Sequence, residues 1–282
     1  MQNELYEESY KNPKHFSFGK NWKNFLKTLN EGRMREAESS LANFLGGKEA
    51  IAGKTFVDIG CGSGLFSLVA YRLGARKVTS VDVDEFCIAC AEYLRKEAGA
   101  PQNWEIRKGS ALDKNFILSL GTFDIVYSWG VLHHTGNMYQ AMENITALAA
   151  SEGKLYIALY NDNQKFFEGT SPFWVKAKKL YNRSLWVGKR TMELLYIFYF
   201  VFGLMINLVN PIAYILNYQS RRGMNFITDI KDWLGGYPYE YASSEKIIAY
   251  FEKLGFACTN MNPARSLGCN EFLFSKMKNT NK

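Results

Sequence analysis

Cysteine, histidine and proline are scarce in this 282-residue chain, which has five, three and six of them. Five dispersed cysteines, an odd number, do not make a disulfide-stapled scaffold. Lys plus Arg outnumber Asp plus Glu by only 34 to 27, too small an excess to argue by itself for nucleic acid. The opening stretch M-Q-N-E-L-Y-E-E-S-Y has no apolar core, so no signal peptide is expected and the expectation is a cytoplasmic, reduced protein. No internal repeat is visible. What is abundant is apolar material: 47% apolar and 15% aromatic residues with 22% charged. Those fractions exclude disordered, collagen-like and low-complexity classes, and the length allows one large domain or two small ones.

Along the chain, short apolar runs alternate with helical patterns. Lys54–Asp58 reads as a strand ending in a Gly-rich turn, Gly64–Leu73 as a helix, Lys77–Val83 as a strand ending in acid and Glu85–Lys96 as a helix. Strands follow near Trp104–Lys108, at Phe123–Ser128 and at Lys154–Tyr160, with a helix over Met138–Ala149 and a turn at S-E-G. Strands alternating with helices of this kind predict an α/β fold with a parallel sheet covered by helices on both faces. A helix at Ser244–Leu254 and extended runs at Phe256–Asn260 and Glu271–Met277 close the chain, the last two joined by a hairpin-type return. Gln2–Leu45 reads as mostly helical and amphipathic.

The sharpest local signal is F-V-D-I-G-C-G-S-G-L-F, which carries Asp58, Gly60, Cys61, Gly62 and Gly64. Glycines let a backbone turn tightly out of a strand and approach a ligand at a helix N-terminus. The spacing is G-x-G-x-G rather than the G-x-G-x-x-G of dinucleotide sites. Asp82 falls 22 residues after Gly60 at the end of the second strand, where an acid can accept both hydroxyls of a ribose.

With these residues the chain resembles the Rossmann-like (class I) S-adenosylmethionine-dependent methyltransferases. Asp58 through Gly64 matches their first motif, and V-T-S-V-D-V-D puts Asp82, followed by Val83, at the ribose position. K-G-S-A-L-D places Ser110 and Ala111 where the family contacts adenine, although Asp is the common residue at position 110. F-D-I-V-Y-S-W-G-V-L-H-H matches the fourth strand and the loop facing the methyl group, including Ser128 and Trp129. The resemblance implies a seven-stranded sheet, mostly parallel with the last strand antiparallel, and S-adenosyl-L-methionine as cofactor with S-adenosyl-L-homocysteine as product. More narrowly, F-S-F-G-K-N-W, S-W-G-V-L-H-H-T-G-N, A-L-Y-N-D and D-W-L-G-G-Y-P-Y-E are similar to a bacterial subgroup of small-molecule type.

Methyl transfer is an in-line displacement, so the protein must align the nucleophile and, for a hydroxyl, deprotonate it. Two of the three histidines, His133 and His134, are adjacent on the loop after the fourth strand. His134 is the first choice for a base, and the competing reading is a helix cap or loop brace; His133 points to packing. Ser128–Trp129–Gly130–Val131 lacks the Pro-Pro-aromatic pattern of nucleic-acid N-methylases, and the two glutamates of arginine methylases are missing. No group of acidic metal ligands stands out, so no metal is expected. Cys87 and Cys90 read as a packed helix face. Phe16, Phe18 and Trp22 are candidates for a cofactor lid or for plain packing. Tyr160, Asn161, Tyr237, Tyr239 and Glu240 are candidates for the substrate pocket.

Between Asn161 and Lys231, ten Lys or Arg stand against four Asp or Glu, which is nearly all of the chain's excess charge. The same segment holds the greasiest run, Leu194 to Leu216, interrupted by Asn207, Asn210 and Pro211. The expected organisation is a helical preface over 1–50, a catalytic domain over 51–160 and 232–282, and a helical insertion over 161–231. The insertion is expected to be a lid, a homo-oligomer contact or a peripheral membrane surface. The expected function is O-methylation of a small-molecule acceptor, with no nucleic-acid partner. A tRNA or protein methylase and a non-catalytic cofactor-binding subunit are the alternatives.

Overall fold

The computed structural model describes residues 26, 29–218 and 226–277. The aromatic residues Phe16, Phe18 and Trp22 of the expected lid, and Arg221 and Arg222, lie outside the described residues.

Seven strands form one sheet: β1 (Thr55–Ile59), β2 (Lys77–Asp82), β3 (Trp104–Lys108), β4 (Phe123–Trp129), β5 (Ala149–Tyr160), β6 (Phe256–Asn262) and β7 (Cys269–Lys276). Their order is β3-β2-β1-β4-β5-β7-β6. β1 to β5 run parallel, and β7 lies antiparallel between β5 and β6. The strands read as unbroken apolar runs because both faces are covered. Val57, Ile59, Val126, Ile157 and Phe274 pack in one cluster, while Phe56, Val78, Ile125, Tyr127 and Tyr156 pack in the other. Each such side chain contributes about 1.5–3 kcal/mol by leaving water.

The helices are α1 (Glu31–Leu45), α2 (Leu65–Arg72), α3 (Glu85–Glu97), α4 (Lys114–Ser119), α5 (Met138–Thr146), α6 (Ser171–Arg183), α7 (Trp186–Ile206), α8 (Pro211–Leu216), α9 (Phe226–Gly235) and α10 (Ser244–Lys253). Their starts follow from capping chemistry: the side chains of Asn30, Asp84 and Asp113 accept from backbone N–H groups in the first turns of α1, α3 and α4. α6 to α9 fill the segment between β5 and β6 and enclose an aromatic cluster of their own, with Trp174, Tyr181, Phe226, Ile230 and Leu234 at its centre.

Three boundaries differ from the sequence expectation. β5 begins at Ala149, because Ser151–Gly153 is an irregularity inside the strand: Phe123 pairs Ala149, and the next pair is Ile125 with Lys154. The six-residue α4 is an addition, too short to display a helical period. α7 begins at Trp186, eight residues ahead of the apolar run, its first turns held by an Arg190–Glu193 ion pair at 2.6 Å. Among the described residues, no helix is long and apolar enough to cross a membrane. The helical segment also lies between strands of the same sheet, so a single crossing there has no place in the topology.

Candidate functional site

The order of strands reverses between β1 and β4, and the carboxyl ends of the strands at such a point form the crevice where open α/β sheets bind ligands. On one side of it, β1 turns through Gly60–Gly64 into α2. Gly60 has φ +77°, and a Cβ there would lie 2.3 Å from Cγ1 of Val131. Gly64 has φ +80°, and its Cβ would meet Ala91 Cα at 2.9 Å. Both glycines are therefore demanded by the protein's own packing. The Gly60 and Cys61 N–H groups donate to the Val81 carbonyl at 2.7 and 2.9 Å, and Gly62 N–H donates to Asp82 Oδ2 at 3.0 Å. A ligand thus meets a prefolded loop in which the Gly60, Cys61, Gly62 and Gly64 N–H groups already have partners.

Asp58 and Asp82 close this end. Trp104 Nε1 donates to Ser80 Oγ (2.8 Å), Ser80 Oγ to Ser67 Oγ (2.6 Å), and Ser67 Oγ to Asp58 Oδ2 (2.7 Å). This directed chain of buried groups holds the Asp58 carboxylate. Burial nevertheless pushes its pKa up to about 7, helped by the charge of Asp82 and opposed by the Ser67 bond. Asp82 accepts from Gly62 N–H and Asp84 N–H, and burial outweighs these bonds to push its pKa up to about 6. Among the described residues, neither acid is ion-paired.

On the other side of the crevice, the loop after β4 carries Val131, His133 and His134. Tyr160, the last residue of β5, places its ring 3.9 Å from that of His133, 5.4 Å from His134 and 4.8 Å from Tyr239. His134 Nδ1 lies 2.6 Å from the Pro238 carbonyl. A carbonyl only accepts, so Nδ1 carries the proton and Nε2 is the lone-pair nitrogen. Burial drives the His134 pKa down to about 3, against the Pro238 bond and with help from Lys178. His133 is fully buried and accepts the Tyr160 N–H at Nδ1 (3.2 Å), so its Nε2 carries the proton, with no partner among the described residues. Burial holds His133 far below the usual imidazole range.

The other expected site residues divide between this crevice and its supports. Ser128 is buried and donates to the Ile59 carbonyl (2.9 Å), tying β4 to β1. Ser110 Oγ accepts from Leu112 N–H (3.0 Å), and the Ala111 carbonyl accepts from Asn144. Val83 follows Asp82 half-buried, and the exposed Trp129 donates to Glu271 at 2.8 Å. Asn161 Oδ1 accepts from Asn270 (3.1 Å) just past the end of β5. Glu240 accepts the Met138 N–H at 3.0 Å while its own N–H bonds the His133 carbonyl, so it braces the histidine loop and caps α5. Tyr237 lines a shallow hollow with Lys179, Asn182 and Arg183 of α6. Cys87 and Cys90 are buried thiols outside any disulfide, and no metal-ligating cluster occurs among the described residues.

Residues 51–200 match the family model described as a methyltransferase domain, slightly more than half of the chain. The chain belongs to this methyltransferase family. Among curated relatives, a ubiquinone biosynthesis O-methyltransferase of Methylobacterium sp. (strain 4-46) is 31% identical over 121 residues, covering 43% of this chain and 47% of the relative. The corresponding protein of Cupriavidus pinatubonensis is 28% identical over 124 residues. The match spans about half the length of these curated relatives. Two solved structures share the fold: magnesium protoporphyrin IX methyltransferase from Synechocystis PCC 6803 with bound S-adenosylhomocysteine, and an O-methyltransferase family protein from Burkholderia thailandensis. The first has a TM-score of 0.50 at 14% identity, covering 89% of this chain and 86% of that one. The second has a TM-score of 0.53 at 12% identity, covering 88% and 58%.

Within this methyltransferase fold, sequence reasoning passed over three groups that shape the crevice. Val131 packs on Gly60 and joins its two sides. The Pro238 carbonyl selects the His134 tautomer. Lys178 is fully buried, donates to the Trp233 carbonyl and lies over the Trp233 ring at 3.9 Å; burial brings its pKa down to about 7. Its one sequence signal is its spacing of four from Trp174 and three from Tyr181, on the buried face of α6.

Proposed function

We propose that this protein is an S-adenosylmethionine-dependent O-methyltransferase whose acceptor is a small molecule with an acidic hydroxyl, such as a phenol. The observation that carries this reading is the juxtaposition across one crevice of two buried acids, neither ion-paired among the described residues, with a histidine whose Nε2 holds a lone pair.

The residues present fit the cofactor. It is cationic at sulfur and at its amino group and carries a ribose diol. Asp58 and Asp82 provide buried carboxyls with no partner cation among the described residues, and donor hydroxyls at Asp82 would offset the burial that raises its pKa. Gly60–Gly64, Cys61 and Val83 would shape the surface against it, with Ser110 and Ala111 beside the base and Ser128 and Trp129 along β4. When bound, S-adenosylmethionine supplies an electrophilic methyl group.

The chain's own part is orientation and proton handling. His134, held neutral near pH 7 by burial, accepts a hydrogen bond from the acceptor hydroxyl at Nε2 and takes its proton as attack proceeds. So weak a base suits a phenol better than an aliphatic alcohol, because less basicity is needed to remove the proton. The His133 Nε2–H, buried with no acceptor among the described residues, suits an oxygen on the same ring. Tyr160 and Tyr239 supply flat apolar walls for an aromatic acceptor. The names of the curated relatives agree with an oxygen acceptor on a ring of quinone-precursor type.

The test is calorimetric titration of purified protein with S-adenosylmethionine and S-adenosylhomocysteine, followed by a methyl-transfer screen of catechols and other phenols. Micromolar binding with turnover on phenols, lost in His134→Ala, is the expected result. Absence of binding would remove the cofactor reading, and turnover confined to amines or thiols would remove the acceptor class.

A further inference from the structure

From Leu194 to Ser220 the chain has no Asp, Glu, Lys or Arg. The described part of this run is the second half of α7, the turn at Asn207 and α8, a helical hairpin. One side of α7, with Tyr196, Ile197 and Phe200, packs on the aromatic cluster. The opposite side carries Leu195, Phe198, Phe202 and Ile206 in the open, and the turn and α8 add Leu208 at 95% and Ile212 at 72% exposure. Ten or so such side chains expose on the order of 1,000 Å² of apolar surface, beyond the few hundred usual on a monomer.

Polar side chains at the tip, although exposed, bond the main chain of their own helices. Asn207 Nδ2 donates to the Gly203 carbonyl (2.8 Å), Asn217 Nδ2 to the Ala213 carbonyl (2.9 Å), and Asn210 Oδ1 accepts the Ala213 N–H (3.1 Å). Amides bonded to the main chain of their own helix cost less to move into an apolar phase than amides bonded to water. Charge gathers at the base instead. Lys176, Lys179 and Arg183 stand on the exposed face of α6, and Arg190 is exposed in the first turns of α7. Lys179 and Arg183 also line the hollow beside Tyr237.

We infer that the α7–α8 hairpin is a membrane-docking element that dips its uncharged tip into an anionic bilayer while the basic base meets the head groups. Two observations select lipid over a second copy of the chain. The tip is exposed on both of its helices and at the turn between them, whereas a protein partner covers one face; a fluid apolar phase surrounds a projecting tip. The basic base is complementary to anionic head groups and repels its own copy. The inference stands on this surface alone and does not depend on the reaction proposed above.

The experiment is vesicle flotation of the full-length protein, with phosphatidylcholine vesicles compared with phosphatidylcholine–phosphatidylglycerol mixtures, alongside light scattering for mass. The wild type should float with anionic vesicles, and its bound fraction should fall on neutral vesicles and in high salt. The double variant Phe202→Glu/Leu208→Glu should lose vesicle binding by about tenfold with its melting temperature unchanged, since both side chains are exposed. No flotation of the wild type, or undiminished flotation of the double variant, would overturn the inference. A wild-type dimer that ignores vesicles and that the double variant splits would assign the surface to a second copy.

Discussion

The two sides of the crevice treat charge in opposite ways. At the ends of β1 and β2, burial raises the pKa of two acids that nevertheless retain bonds favouring their ionised form. At the ends of β4 and β5, burial lowers the pKa of both imidazoles and of Lys178, so this side is held close to neutral. One physical cause, loss of water, leaves one side suited to a cationic ligand and the other to a neutral aromatic one. The division also separates the readouts: changes on the acidic side should move cofactor affinity, and changes on the imidazole side should move turnover.

The largest effect is expected from His134→Ala. Loss of the acceptor at Nε2 should lower kcat by about a hundredfold to a thousandfold while calorimetric affinity for S-adenosylmethionine stays within twofold. With a His134 pKa near 3, the wild-type kcat should show no acidic limb from this group between pH 5 and 8. Equal losses in turnover and affinity would make His134 a brace. Asp82→Asn should come next, weakening cofactor binding roughly tenfold to a hundredfold with kcat at saturation little changed. Wild-type affinity should fall as pH drops through about 6, where Asp82 takes up a proton, and the variant should lose that step and keep only the dependence that Asp58 sets near 7. A pH-independent wild type would remove Asp82 from the cofactor site.

The parts of this comparison differ in how well the sequence discloses them. T-F-V-D-I and V-T-S-V-D read as strands because each is a short apolar run that ends in acid and turn residues, and the distance from Gly60 to Asp82 marks the acidic side. The adjacent histidines mark the other side. Its chemistry, however, comes from contacts no local pattern carries. The Pro238 carbonyl reaches His134 across 104 residues, and Glu240 returns to cap α5 across 102. Lys178 is a charge on an otherwise apolar face, which by type alone reads as solvated. The start of β5 was hidden for a similar reason: S-E-G is turn-like in composition, and only the pairing of its flanks, Ala149 and Lys154, to β4 keeps it within the strand.

Asp58→Asn probes the acidic side through stability. The folded pKa of Asp58, about 7, lies above the 3.8 of the unfolded group, so its contribution is fully present below about pH 4 and is lost as pH rises through 7. Asparagine keeps an oxygen acceptor for Ser67 and never ionises. The variant should therefore match the wild type near pH 4 and exceed it at pH 8, by on the order of 2 kcal/mol once partial relaxation is allowed for. Melting curves at the two pH values measure this directly. Saturating S-adenosylmethionine should narrow the gap, because a bound cation favours ionised Asp58. A gap of the same size at pH 4 and pH 8 would show that packing, not charge, is responsible.

Glu240→Gln carries the smallest expected effect and sharpens the boundary of the imidazole side. The sequence placed Glu240 with the substrate pocket, whereas its carboxylate accepts the Met138 N–H at the first residue of α5. A negative charge at a helix N-terminus contributes about 0.3–1 kcal/mol, and glutamine retains the acceptor without the charge. The variant should lose at most about 1 kcal/mol of stability, a fall of roughly 2 °C in melting temperature for a chain of this size, with KM for the acceptor unchanged. Burial raises the Glu240 pKa above the usual carboxylate value, so the group's net contribution to stability is largest below the ordinary carboxylate range and falls as pH rises through the raised pKa, which keeps the loss in the variant small. A raised KM at an unchanged melting temperature would return Glu240 to the acceptor pocket and extend that pocket beyond Tyr160, Tyr239 and the two histidines.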